Sequence, residues 1–162
     1  PEVLLFMGGE GYAAAKYVMP QISAGCLMQF IYCMYVNVEQ YEKKTIGMAF
    51  ASVIAALFNY LTNYIFIRKL GYIAASYTTF FSYLLLMLLH LYLVKRIKSE
   101  DIFDNKKILF LSAIGSAILI SSNFIFEYTV IRYFIAGILL FISIFAVYKK
   151  RTIIFKYIKN RK

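Results

Sequence analysis

Charge in this chain is gathered into short clusters with long uncharged runs between them, and that spacing constrains the fold more than any other feature. The clusters fall at Glu39 to Lys44, at Arg68 and Lys69, at Lys95 to Lys107, at Glu127 to Arg132, and from Lys149 to the end. A bilayer has a hydrocarbon core of about 30 Å, which takes about 20 helical residues to cross. The largely uncharged stretches between the clusters predict spans at 17–38, 45–67, 72–94, 108–126 and 130–148, each 19 to 23 residues long. Because the runs are continuously apolar rather than alternating, they read as helices and not as the strands of a barrel. Composition agrees, since 62% of the 162 residues are hydrophobic, 16% are charged and the mean hydropathy is +0.68. The expected class is an all-α integral membrane protein with about five transmembrane helices.

Alternating helices divide the basic residues between two sides of a membrane. One side receives Lys16, Arg68, Lys69 and Arg132. The other receives Lys43, Lys44, Lys95, Arg96, Lys98, Lys106, Lys107 and all seven basic residues from Lys149 onward, fourteen against four. Short loops rich in Lys and Arg stay in the cytoplasm, so the C-terminus is expected inside. The segment 149–162 mixes lysines with Ile153, Ile154, Phe155 and Ile158, a pattern suited to the headgroup region of anionic lipid. The net charge of +10 therefore reads as topology and lipid contact, with no nucleic-acid partner expected. The chain opens on Pro1 and the apolar run Val3 to Met7, which reads as the end of a preceding helix (1–7), so the sequence is expected to be a fragment. No basic segment precedes that run, and a signal peptide is not expected.

Polar residues at membrane depth are few: Gln29, Asn37, Asn59, Asn63, His90, Asn123 and, at a span end, Glu127. Ala49, Ser52, Ala56, Asn59 and Asn63 share one helical face, a seam of small and polar residues against which another helix packs or which lines a cavity. Ser112, Ala113, Gly115, Ser116 and Ala117 give the fourth span a similar character. Pro20 near the start of the first span reads either as a helix-start proline or as a hinge. His90 is expected at the interface, reaching toward headgroups, with a proton relay as the sharper alternative. Cys26 and Cys33 share a face with no histidine or acid beside them, so they read as plain buried thiols and no metal site is expected. No Asp or Glu lies in the middle of a span, and no GxSxG, phosphate loop or HExxH is present. Neither catalysis nor a cofactor is expected, and no residue is assigned a catalytic role.

The order of landmarks resembles a known family. Gly8-Gly9-Glu10-Gly11-Tyr12-Ala13-Ala14 leads to Pro20, and a loop follows at Val36 to Thr45. Next come the Asn-bearing run Ala55 to Ile67 and then Leu70-Gly71-Tyr72-Ile73-Ala74-Ala75-Ser76-Tyr77-Thr78-Thr79. Over residues 8 to 95 this resembles the C-terminal part of bacterial polysaccharide-biosynthesis proteins, the Wzx-type O-antigen and capsule oligosaccharide flippases of the multidrug/oligosaccharidyl-lipid/polysaccharide exporter superfamily. The resemblance implies a two-bundle exporter, with 1–148 forming most of the C-terminal bundle, 149–162 a basic cytoplasmic tail, and an N-terminal half supplying the rest of a central cavity.

The implied function is translocation of undecaprenyl-diphosphate-linked oligosaccharide across the bacterial inner membrane for surface polysaccharide biosynthesis. Its partners are the lipid-linked oligosaccharide and membrane lipids. Under that resemblance Asn59, Asn63 and Gln29 are candidates for the substrate path and Pro20 for a hinge. Family members often carry cavity Arg or Lys, and these spans have none at mid-depth. An ion-coupled small-molecule or drug exporter of the same fold, or a fragment of a membrane glycosyltransferase or polymerase, are the competing readings.

Overall fold

The computed structural model describes residues 2–97 and 102–159, without the side chains of Val3 and of residues 150–159. Lys98, Arg161 and Lys162, which entered the charge count, lie outside the described residues. The described residues are helical almost throughout, with no strand among them. A short α1 (Glu2–Gly8) and a 3-10 stretch (Glu10–Tyr17) lead into α2 (Met19–Tyr41), α3 (Thr45–Leu70), α4 (Ile73–Ile97) and α5 (Asn105–Ser121). A 3-10 turn (Ser122–Ile125) and α6 (Thr129–Lys159) follow.

Among the described residues four segments are long and apolar enough to cross a membrane: Thr45–Leu70, Ile73–Ile97, Asn105–Ile125 and Thr129–Lys149. They carry the spans expected at 45–67, 72–94, 108–126 and 130–148. The helix at the remaining expected span, α2, has 23 residues and so is about 34 Å long. It falls short in apolarity because Gln21, Gln29, Asn37 and Glu39 interrupt it. Elsewhere large apolar side chains such as Phe50, Tyr60, Phe110 and Phe141 stand exposed on the helix surfaces. Exposure of that extent needs lipid, and the protein is membrane-embedded.

The chain divides after Asn123 into two compact units. In the first, α4 is the central helix, packed against α2 on one side and α3 on another, while α2 also packs against α5. Sequence periodicity explains this order. The buried stripe of α2 runs Ala24, Met28, Ile31, Tyr35 and Glu39, at steps of three and four residues. It meets Phe80, Met87 and Val94 of α4, spaced seven apart. A second face of α4, through Leu86, meets Ala51 and Ala55 of α3. Gly25 permits the close α2–α4 crossing, since a Cβ there would stand 3.3 Å from the Tyr83 ring and 3.6 Å from the Phe80 backbone. Ser112 and Ser116 are the buried residues of α5, and a Cβ on Gly115 would stand 2.9 Å from Leu27 of α2. The small residues of the fourth span thus serve helix approach.

The connections are built from end-capping chemistry. At the end of α2 the Lys44 amide donates to the Glu39 carbonyl (2.9 Å) and the Lys43 amide to the Gln40 carbonyl (3.0 Å). This is the paired C-terminal motif whose left-handed residue is usually glycine, yet here Lys43 holds it, at φ 57°. Gly71, at φ 76°, turns the chain between α3 and α4. Asp104 caps α5 by accepting from the Lys107 amide at 3.2 Å, with the Lys107 ammonium 2.8 Å from its other oxygen. Those contacts, the Lys107 side chain foremost, hold the Asp104 carboxyl below the usual carboxylate range.

The second unit holds α6, which runs without a break from Thr129 through Lys159. The Arg132 guanidinium donates to the Phe126 carbonyl at 2.9 Å, tying the helix start to the turn before it. The basic segment that begins at Lys149 is therefore helical as far as Lys159.

Candidate functional site

Two polar clusters lie within the first unit, on different faces of α4. The first joins α3 to α4 through the seam residues. Asn59 Nδ2 donates to Ser82 Oγ at 3.0 Å, Asn63 Nδ2 donates to Asn59 Oδ1 at 2.9 Å, and the Thr78 hydroxyl donates to Asn63 Oδ1. Ser82 Oγ in turn donates to the Thr78 carbonyl at 2.7 Å. Two asparagines four residues apart on α3 thus meet two hydroxyls four apart on α4, one helical turn each. In an apolar medium such side-chain bonds are worth roughly 0.6–2 kcal/mol apiece.

Beside this ladder a groove of about 300 Å³ opens between α3 and α4. Ser52, Asn59, Thr79, Ser82 and Tyr83 supply its polar groups; Ala55, Ala56 and Leu86 supply an apolar floor. Neutral amides and hydroxyls over an apolar surface are suited to recognising neutral polar groups such as hydroxyls. Among the described residues the groove has no charged side chain in its lining.

The second cluster lies between α2 and α4, where Glu39 and His90 are both fully buried. His90 Nδ1 is 3.0 Å from each oxygen of the Glu39 carboxylate. A carboxylate only accepts, so the proton between them sits on Nδ1 when Glu39 is ionised. The Tyr32 ring stacks on the imidazole, with centroids 5.5 Å apart and planes at 21°. Nearby, the Tyr35 hydroxyl donates to Asn105 Oδ1 at 2.9 Å, and its ring meets Phe103 edge-on, linking α2 to the start of α5. His90 is therefore not the interfacial side chain expected from sequence. It faces inward because Glu39, on the buried stripe of α2, needs a partner, and α2 continues past residue 38 to place it there.

A third polar group sits near the other end of α2. The buried Gln21 amide accepts from the Tyr77 hydroxyl (2.9 Å) and from Asn123 Nδ2 (2.6 Å), and donates to the Tyr17 and Val18 carbonyls (2.8 and 3.1 Å).

Among the residues singled out by sequence, Asn59 and Asn63 are brought together and joined to α4. Gln29 is half-buried on α2, within hydrogen-bonding reach of Tyr32, and belongs to neither side of the ladder. Pro20 is buried in the first turn of α2, where its missing N–H removes no intrahelical bond. Cys26 and Cys33 are free thiols on the exposed face of α2. Among the described residues no cluster of His, Cys, Asp and Glu has the makings of a metal site. Sequence reasoning missed Glu39, His90, Ser82 and Thr78 as partners. Glu39 carried a signal, standing four residues after Tyr35 on the apolar stripe.

No family model matches the sequence, and no curated protein or solved structure matches the chain.

Proposed function

We propose that the chain is part of a flippase that moves undecaprenyl-diphosphate-linked oligosaccharide across the bacterial inner membrane for surface polysaccharide synthesis. In this reading α2 is the fifth membrane span, with Gln21 and Glu39 buried against its neighbours. The bundle forms one wall of a central cavity, with a second bundle opposite, and the C-terminus lies in the cytoplasm. The observation that carries the proposal is the α3–α4 ladder. It is built by the same segment that resembles the polysaccharide flippases, with Asn59 and Asn63 from the Asn-bearing run and Thr78 from the Gly71 to Thr79 run. Its amides and hydroxyls offer recognition chemistry for a carbohydrate, and its groove supplies no nucleophile or general base beyond hydroxyls. Alternating exposure of such a wall follows the logic of repeat-built transporters.

The test is complementation of a strain lacking the intact protein. Asn59→Leu/Asn63→Leu is expected to reach the membrane in normal amount yet restore surface polysaccharide poorly. Full restoration would remove the ladder from the substrate path.

A second reading, an ion-coupled small-molecule exporter of the same fold, is favoured by the Glu39–His90 pair, a buried titratable couple in a wall of helices. Efflux that collapses with the proton gradient and is abolished by Glu39→Gln, with surface polysaccharide intact, would select it.

A further inference from the structure

We propose that the groove between the start of α3 and the end of α4 binds the headgroup of an anionic phospholipid. The groove has a volume of about 410 Å³ and lies where α2 ends, α3 begins and α4 ends. Among the described residues three cations line it, Lys43, Lys44 and Arg96, and no carboxylate does. Its remaining wall is apolar, through Ile46, Leu93 and Ile97, so one site offers cations beside a surface suited to the top of an acyl chain. The first turn of α3 also lines the space, and its amides carry no side-chain cap.

The backbone holds the cations in place. Lys43 occupies the left-handed position of the α2 C-terminal motif at φ 57°, a conformation in which glycine would be relieved of strain. Lys44 follows, its amide bound to the Glu39 carbonyl. The Arg96 guanidinium lies 5.1 Å from the Tyr92 ring centroid one turn back. Two cations fixed on a strained turn and one braced on an aromatic face form a phosphate-sized positive site at the end of the bundle that the charge pattern assigns to the cytoplasm. A phosphodiester with its glycerol and chains completes both the charge and the apolar wall. A lipid is favoured over free phosphate because only a lipid occupies the apolar part.

The chain contains no Trp, so a single introduced Trp reports locally. Ile46→Trp, at an exposed position on the groove, is placed in the full chain and reconstituted in phosphatidylcholine vesicles. Quenching is compared for brominated phosphatidylglycerol and brominated phosphatidylcholine at equal mole fraction. The expected result is an apparent association about fivefold stronger for phosphatidylglycerol, the effect of roughly one well-placed charge contact. The triple change Lys43→Asn/Lys44→Gln/Arg96→Gln is expected to abolish the preference, and Lys106→Gln/Lys107→Gln to leave it. Lys43→Gly separates binding from folding, because it is expected to raise thermal stability while weakening the preference. Millimolar inorganic phosphate in the brominated-phosphatidylglycerol sample is expected to leave quenching unchanged. Equal quenching by the two lipids, or a preference surviving the triple change, overturns the proposal. Displacement by inorganic phosphate alone overturns the lipid assignment.

Discussion

Glu39 carries a carboxylate into an interface otherwise made by Ala24, Met28, Ile31 and Tyr35, and His90 is what makes that burial tolerable. Removing one member of such a pair leaves the other buried and unmatched, which costs about 3–5 kcal/mol, whereas replacing both by apolar groups is often neutral. Glu39→Leu and His90→Leu are therefore each expected to lower stability steeply in detergent unfolding, and the double variant to recover most of the loss. Equal stability of both single variants with the parent would contradict the pairing. The pair was half legible in the sequence. The stripe 24, 28, 31, 35 points to residue 39, but a glutamate next to Lys43 and Lys44 reads as loop charge until the helix is seen to reach Tyr41. Asp104 gives a residue with a defined pH sense. Its carboxyl is held low in the folded state, so its cap on α5 contributes at pH above the ordinary Asp value and is lost as pH falls through its lowered folded value. The protection of the Lys107 amide, its exchange rate relative to the intrinsic rate at each pH, is expected to fall over that acid window, and Asp104→Ala to show the same reduced protection at neutral pH.

At the scale of the helices, the α3–α4 contact combines two kinds of attachment. Ala51 and Ala55 let the helices approach Leu86, while the Asn59, Asn63, Thr78 and Ser82 ladder fixes their register. Asn63→Leu removes two of the bonds and is expected to destabilise the pair by about 1–4 kcal/mol, because each membrane hydrogen bond contributes modestly. A loss far above that range in unfolding measurements would mean that the ladder, rather than packing, holds α3. The α2–α4 crossing depends instead on Gly25. Gly25→Leu drives a side chain against Tyr83 and the Phe80 backbone, and a loss of about 1–3 kcal/mol is expected from overpacking. Helix positions were legible because charge clusters and apolar runs report hydropathy directly. Their ends were less so, since α2, α3 and α4 each continue three residues beyond the expected spans, to Tyr41, Leu70 and Ile97. A charged side chain at a helix end reaches the interface without ending the helix.

Within the first unit α4 is the organising helix, with its apolar face given to α2 and its hydroxyl face to α3. Hydropathy predicted that helices exist but not which are neighbours. Interhelical pairing depends on small residues and partners far apart in the chain, such as Gly25 with Phe80, Asn59 with Ser82 and Glu39 with His90. The transport account treats this bundle as a wall past which a lipid-linked oligosaccharide crosses. Its most direct test is the leaflet position of that lipid in cells of the source organism with and without the intact protein. The account predicts that without it the undecaprenyl-diphosphate-linked oligosaccharide accumulates facing the cytoplasm and the surface polysaccharide disappears. Normal transfer of the oligosaccharide to the outer leaflet in its absence would contradict the account.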